Sequence, residues 1–154
     1  MILTIDPSSA ADRTGWAIFE TTGTSGVLVA CGKTAPPSAW LEGIAEAVLE
    51  RPVIYPHGRT PNPNDVVKLG VAVGEMAGAL AASGVRTRYI EPRAWKGSID
   101  KDTCCRRVWG RLMAEERAVA EAFKPPVSGT VGGGRDHVLD AIGIGLHAIG
   151  RFGR

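Results

Sequence analysis

Three acidic residues that lie far apart in the sequence each end or interrupt an apolar segment. Asp6 follows the run ILTI, Glu50 follows AVL, and Asp140 lies within VLDAIGIGL. Carboxylates are rarely buried unless they pair with a cation or bind a metal. The fold of this chain therefore either brings these three acids together or exposes each of them as a helix cap or a surface ion pair.

The residue types in this set favour a metal that prefers oxygen ligands. Carboxylates without a paired-cysteine motif indicate Mg²⁺ or Mn²⁺ rather than structural zinc. Two such ions about 3.5–4 Å apart can activate a water and stabilise the leaving oxygen of a phosphodiester. His137 precedes Asp140 by three residues and faces the same side of a helix, so it is the expected fourth member, on the metal or beside the attacking water. Asp136 is the alternative, although its position also suits an N-cap.

The hydrophobic pattern predicts an α/β fold with a mixed sheet. It predicts strands at 2–5, 14–20, 26–32, 47–50 and 85–90, and helices at 39–46, 65–83, 102–123 and 136–149. Gly23 and Gly26 predict a turn that makes the first three strands an antiparallel meander. This order is that of an RNase H-like fold, in which three antiparallel strands are followed by two parallel strands and helices flank the sheet.

The longest predicted helix carries two stripes of different residue types. One is apolar and recurs at spacings of three and four: Val66, Leu69, Val73, Met76 and Leu80. The other consists of Gly70, Gly74 and Gly78. Each glycine costs a helix interior about 1 kcal/mol relative to alanine. Three in register therefore indicate the close approach of another backbone, either that of the sheet or that of a partner subunit.

Length and composition indicate one globular domain that spans residues 1–154. Hydrophobic residues make up 44% and charged residues 22%, which excludes a disordered chain. No apolar run reaches the roughly 18 residues of a membrane span, and no signal-peptide pattern is visible. Three cysteines, two of them adjacent, form neither a disulfide framework nor a zinc motif, so we expect the reducing cytoplasm.

Positive charge is concentrated after residue 50. Residues 1–50 contain two basic and six acidic residues, although the whole chain has a net charge of +2. Arginine-rich segments suit phosphate contacts, and they equally suit an ordinary solvated surface. Trp95 and Trp109 can stack on bases, although packing in the core is the commoner role. The expected DNA-binding residues are Arg59, Arg93, Lys96, Lys101, Arg106 and Arg107.

Several segments together resemble RuvC-type Holliday junction resolvases. The opening ILTIDPSSAADRTGWAIF resembles the IDPG…TGWA start of that family, and VLERP resembles the strand that bears its second acid. PNDVVKLGVAVGEMAGAL resembles the helix that follows, and EPRAWKG the Pro…Trp-Lys segment of phage-type members. RDHVLDAIGIGLHAIGR resembles the final acidic helix, which in some members starts with His in place of Asp. These five segments occur in the family's order and cover most of the chain.

The resemblance implies a divalent-metal endonuclease that resolves four-way and related branched DNA junctions as a homodimer. Matched segment by segment, the catalytic and metal-binding set is Asp6, Glu50, His137 and Asp140, and a phage-encoded protein would act in the host cytoplasm. The chain departs from the pattern at Ser8, where the family has glycine. An alignment anchored on KLG places Tyr55 at the second acid, but tyrosine is a poor Mg²⁺ ligand, so Glu50 is expected.

Two other functions fit the same residues. A flap nuclease or an RNA–DNA hybrid nuclease with an RNase H-like fold would use the same acids, and cleavage of junctions against hybrids distinguishes it. A junction-binding protein without catalysis is the second, and a Mg²⁺-dependent cleavage assay distinguishes that one.

Overall fold

The computed structural model describes residues 1–23, 25–36, 38–53 and 62–152. Tyr55 and Arg59 lie outside these ranges. The strands are β1 Ile2–Asp6, β2 Gly15–Thr22, β3 Ser25–Lys33, β4 Glu46–Glu50 and β5 Arg86–Ile90. The α-helices are α1 Ser38–Leu41, α2 Pro63–Ala82, α3 Pro92–Trp95, α4 Lys101–Arg111, α5 Ala114–Val119 and α6 Arg135–Ala148. Short 3₁₀ turns cover Ala11–Arg13 and Glu121–Phe123.

The five strands form one mixed sheet in the order β3-β2-β1-β4-β5. β1 pairs antiparallel with β2, and β2 with β3, whereas β4 runs parallel to both β1 and β5. The predicted RNase H-like fold class is therefore confirmed. Because β1 and β4 are parallel neighbours, Asp6 and Glu50 lie at the same edge of the sheet.

Helices cover both faces of the sheet. α2 buries Val73 and Leu80 of its predicted apolar stripe, together with Ala77, against one face, and Leu69 and Met76 are partly buried there. α6 packs on the other face with α4 and is buried along most of its length. None of the helices in the described residues is both long enough and apolar enough to cross a membrane.

Small residues let α6 approach the sheet closely. A Cβ on Gly15, at the start of β2, would collide with the backbone of His137, and one on Gly145 would collide with the ring of Phe19. The buried Thr4 hydroxyl on β1 donates a hydrogen bond to the Ala141 carbonyl of α6 at 2.7 Å. This close contact fixes the first half of α6 over the end of β1 that carries the first acid.

Two predicted helices were wrong in extent. The helix predicted over 39–46 is the single turn Ser38–Leu41, and Gly43 follows it with a φ of 86°, which ends the helix before β4. The helix predicted over 102–123 begins one residue earlier, after the cap Asp100, and breaks at Leu112 and Met113, whose ψ angles are 139° and 169°. A buried acid that sequence reasoning overlooked caps the helix that starts after this break.

That acid is Glu116, whose side chain is fully buried. Its carboxylate accepts the backbone N–H of Leu28 at 2.9 Å and that of Met113 at 2.8 Å. Arg151 donates to both oxygens, at 2.6 and 2.8 Å. Burial alone raises the pKa of Glu116, but these hydrogen bonds outweigh it and hold the pKa below its usual value. Glu116 thereby ties α5, β3 and the C-terminal segment together.

We predict that Glu116→Gln lowers the free energy of unfolding by about 3 kcal/mol, because it leaves the Arg151 guanidinium without its buried counter-charge. Since the ionised carboxylate makes the pair, the difference from wild type should shrink as the pH falls through the lowered pKa of Glu116. Urea unfolding measures both effects. Glu115→Gln, on the exposed neighbour, is the matched control. Equal stability of the two variants at pH 7 would contradict this role.

Candidate active site

The three acids converge at one edge of the sheet. Asp6 ends β1, Glu50 ends the neighbouring β4, and Asp140 projects from the second turn of α6. Asp6 and Asp140 are buried, and Glu50 is nearly so. A cavity of about 320 Å³ opens beside them and is lined by Asp6, Glu50 and His137. The sequence prediction that separate segments bring these acids together agrees with this geometry.

His137 contacts the first of these acids directly. Its Nδ1 lies 2.7 Å from Asp6 Oδ2. The hydrogen bond to Asp6 raises the pKa of His137, and burial opposes this only partly. Asp136, the alternative fourth ligand, instead forms an ion pair with Lys101. Burial raises the pKa of Asp136, but the Lys101 ammonium outweighs it and holds the pKa low. The structure therefore brings His137, rather than Asp136, onto the acid of β1.

Lys96 lies between the other two acids. Its Nζ is 3.0 Å from Asp140 Oδ2 and 3.5 Å from Glu50 Oε2. Burial lowers the pKa of Lys96, but the two carboxylates outweigh it and raise the pKa above its usual value. Sequence reasoning placed Lys96 on DNA from its charge alone. Its position in this structure is that of a cation that neutralises the acids.

The acids remain difficult to ionise even with this lysine present. Burial, followed by the charge of Asp6, raises the pKa of Glu50 to about 7. Burial raises the pKa of Asp140 to about 6; the Lys96 ammonium opposes the rise and the Asp6 charge adds to it. Asp140 Oδ1 is buried and has no hydrogen-bond partner. Such an oxygen retains its full capacity to bind a cation.

The ligand types of these residues suit a divalent cation, but their side chains are not yet spaced as a metal centre. Carboxylate oxygens and the free Oδ1 of Asp140 are ligands that Mg²⁺ and Mn²⁺ prefer. Across the part of the chain that the structure describes, no three His, Cys, Asp or Glu side chains already stand together as one metal centre. Lys96 contacts Asp140 Oδ2 and Glu50 Oε2, and His137 contacts Asp6 Oδ2, so a cation that bound these same oxygens would displace the Lys96 ammonium.

Trp95 positions the Glu50 carboxylate through a hydrogen bond. The Trp95 Nε1–H donates to Glu50 Oε2 at 2.7 Å, and the buried ring packs against Phe152 with centroids 5.9 Å apart. Gly143 of α6 makes room for the ring, because a Cβ there would collide with it. Core packing of Trp95 is thus confirmed. The hydrogen bond to Glu50 was overlooked, because the two residues are 45 positions apart in the chain.

The other expected DNA contacts differ in their surroundings. Arg93, Lys96 and Arg107 line a cleft of about 210 Å³ beside Trp95. Lys101 pairs with Asp136, and Arg106 donates to the Gly129 carbonyl at 2.9 Å, so it tethers the glycine-rich loop. Trp109 is partly buried against the core. Arg59 lies outside the described residues.

Known structures share this fold. RuvC of Thermus thermophilus in complex with a Holliday junction substrate superposes with a TM-score of 0.61 at 18% identity, covering 98% of this chain and 92% of that one. The fowlpox virus resolvase in complex with Holliday junction DNA gives 0.58 at 16% identity, covering 97% and 99%. A second Thermus thermophilus RuvC structure gives 0.53 at 19% identity, covering 96% and 93%. This chain has the RuvC fold. No protein-family model and no curated protein sequence matches it.

We predict that Trp95→Phe raises the pKa of Glu50 above its value of about 7, because the indole N–H stabilises the ionised carboxylate and phenylalanine lacks that donor. Carboxyl carbon NMR titration of the metal-free protein measures the midpoint. Trp109→Phe, which makes the same change at a partly buried position packed against the same core cluster, should leave that midpoint unchanged. If both variants titrate like wild type, the hydrogen bond from Trp95 does not lower the pKa of Glu50.

Proposed function

We propose that this protein is a divalent-metal-dependent endonuclease that hydrolyses phosphodiesters in four-way and related branched DNA junctions. The observation that carries the proposal is the meeting of Asp6, Glu50 and Asp140 at one edge of a sheet with the RuvC fold. The three acids from β1, β4 and α6 do not contribute to packing of the hydrophobic core. Burying their charges lowers the stability of the fold, so their convergence indicates a functional role.

Asp6, Glu50 and Asp140 would hold Mg²⁺ or Mn²⁺, with His137 as the fourth member of the set. Two bound divalent ions would supply an activated water and would stabilise the leaving oxygen. Glu50 and Asp140 give up protons when they ligate, because their pKa values of about 7 and about 6 leave them partly protonated near neutral pH. Metal affinity should therefore rise as the pH rises through this range.

His137 and Lys96 have separate proposed roles in the site. The His137 ring is held by Asp6 and lines the cavity, so it can take a proton at its other ring nitrogen. Lys96 leaves the carboxylates when a cation binds and then lies next to the cleft with Arg93 and Arg107, where it can contact a phosphate. One lysine thus neutralises the acids without metal and neutralises the substrate with metal.

The proposed substrate is branched DNA. The solved RuvC and fowlpox resolvase complexes that share this fold contain Holliday junctions. In this chain, the cleft of Arg93, Lys96 and Arg107 adjoins the acids through Lys96. Phosphate contacts of this kind position a strand without reading its sequence.

The proposed location is the cytoplasm, or the host cytoplasm for a phage protein. Three free cysteines suit such a reducing compartment, and DNA is accessible there.

We also propose that the protein acts as a homodimer through the exposed face of α2. Val67 and Val71 are 65% and 56% exposed, and a Cβ on Gly70, Gly74 or Gly78 would meet no neighbouring atom within 4 Å. The sheet is therefore excluded as the neighbour of the glycine stripe within the described residues. A helix that is apolar on both faces favours a second buried contact. A twofold dimer would supply two sites for the two equivalent strands of a junction.

We predict that Asp6→Asn abolishes junction cleavage while junction binding stays within about threefold of wild type, because phosphate contacts supply most of the affinity. Glu50→Gln should be equally damaging. The measurement is cleavage of four-way junctions, flaps and RNA–DNA hybrids in Mg²⁺, Mn²⁺ or EDTA, with binding followed separately. Glu20→Gln, an exposed acid at the far end of β2, is the control and should remain active.

The same assay separates the alternatives. Preferred cleavage of flaps or hybrids would replace the junction substrate with another one for the same acids. Junction binding by wild type without cleavage in either metal would indicate a binding protein. Full activity of Asp6→Asn would remove the metal site from the proposal.

We predict that Gly74→Leu yields a folded monomer that nicks single strands and no longer cuts both strands of a junction in one encounter. Leucine should not disturb the fold, because the space at Gly74 is open and leucine favours a helix over glycine by about 0.5–1 kcal/mol. Sedimentation and thermal melting report the assembly and the fold. Gly110→Leu, at another helical glycine facing open space, is the control. A wild type that stays monomeric at micromolar concentration, with and without junction DNA, would disprove the dimer.

A further inference from the structure

A second cleft borders the candidate active site on the His137 side. It has a volume of about 290 Å³, and Arg13 and Lys33 form part of its walls. These are the only basic residues among the first fifty, a segment that is otherwise acidic. His137 lines both this cleft and the cavity that contains Asp6 and Glu50, so the two spaces are adjacent. We call this second cleft, lined by Arg13, Lys33, Gly133, Gly134 and His137, the Arg13–Lys33 groove.

The backbone around Lys33 is held in place. Lys33 ends β3, and its carbonyl accepts the Trp16 indole N–H at 3.3 Å. Thr34 follows with a φ of 72°, the only positive φ outside glycine among the described residues, and its N–H donates to the Thr14 carbonyl at 2.9 Å. Threonine adopts this left-handed conformation only where its surroundings enforce it, and such strain concentrates at functional sites.

The glycine-rich loop is shaped to receive the lysine. Lys33 Nζ donates to the Gly133 carbonyl at 3.3 Å. A Cβ on Gly134 would lie 2.9 Å from Lys33 Cδ, so glycine leaves the space that the lysine stem uses. Gly133 and Gly134 both have positive φ, which turns the loop beneath the side chain and leads it into α6. The loop thus connects Lys33 to the helix that carries His137 and Asp140.

The charges in the groove leave a positive excess. Asp12 and Asp136 also line it, but Asp136 is paired with Lys101 and His137 is bonded to Asp6. Arg13 forms no ion pair with any residue that the structure describes. Asp12 is therefore the one carboxylate lining the groove that has no ion-pair partner among the described residues. It balances only one of the two positive charges of Arg13 and Lys33. A monoanionic phosphodiester complements this arrangement.

We propose that the Arg13–Lys33 groove binds a backbone phosphate that flanks the scissile one, on the side of His137. This assignment rests on the proposed nuclease function. The strand would cross the acids with one flanking phosphate in the groove and the other in the cleft of Arg93 and Arg107. The two basic clefts would set the register of the strand, so that only one phosphate lies at Asp6, Glu50 and Asp140.

The test uses four-way junctions that carry a single neutral methylphosphonate at successive positions around the cleavage site. With wild type, one flanking position should raise KM roughly tenfold, since it removes a phosphate charge. With Arg13→Gln/Lys33→Gln, KM should already be raised on the unmodified junction, and that same position should have no further effect. The slope of log Kd against log salt should fall by about 0.9 for the lost phosphate contact.

Arg86→Gln/Lys124→Gln removes the same charge from exposed positions outside both clefts and should keep the wild-type profile. Arg13→Lys/Lys33→Arg keeps both charges and should restore KM. If wild type cleaves junctions and the groove variant keeps the same methylphosphonate profile, the groove assignment is wrong although the proposed function stands. If wild type cleaves no branched DNA, the proposed function fails and the groove assignment fails with it.

Discussion

The close packing of α6 against the sheet is the contact on which the rest of the site depends. Gly15 and Gly145 remove the side chains that would hold the helix away, and the Thr4 hydroxyl binds the helix backbone at Ala141. An alanine at position 15 would push the His137 backbone outward. Because His137 and Asp140 lie within one turn of that contact, such a shift would separate them from Asp6 together.

Bringing three carboxylates into this space costs stability, and the chain offsets the cost without filling the site. Lys96 and His137 each neutralise part of the charge, while Asp140 Oδ1 remains without a partner. A fully satisfied network would favour the metal-free protein and oppose cation binding. Partial neutralisation leaves Glu50 with a pKa of about 7, where a cation can displace the proton. In the proposed function, this partial neutralisation would let the site fold without metal and still bind a divalent ion.

The sequence allowed prediction of features that depend on periodicity and missed those that depend on long-range pairing. The ends of β1 and β4 follow from short apolar runs, and parallel pairing of these strands then brings Asp6 and Glu50 together. Glu116 was missed because its partners Leu28 and Arg151 are far away in the chain, and helix 102–123 was consequently drawn unbroken. The contacts of Lys96 with Asp140 and Glu50 were missed for the same reason, since charge alone does not tell whether a lysine faces solvent or two carboxylates.

In the proposed nuclease, the acids with bound metal would act on any DNA phosphodiester that reached them, so a preference for branched DNA would come from the geometry between two sites. α2 is the element that connects the candidate active site to the proposed dimer contact. Its first turn lines the active-site cavity through Asp65 and Val66, and its glycine stripe begins at Gly70, about one turn later. In the proposed dimer, close contact between two such helices would fix the distance between the two cavities. Glycine suits that stripe because each larger side chain would move the two helices, and hence the two sites, apart.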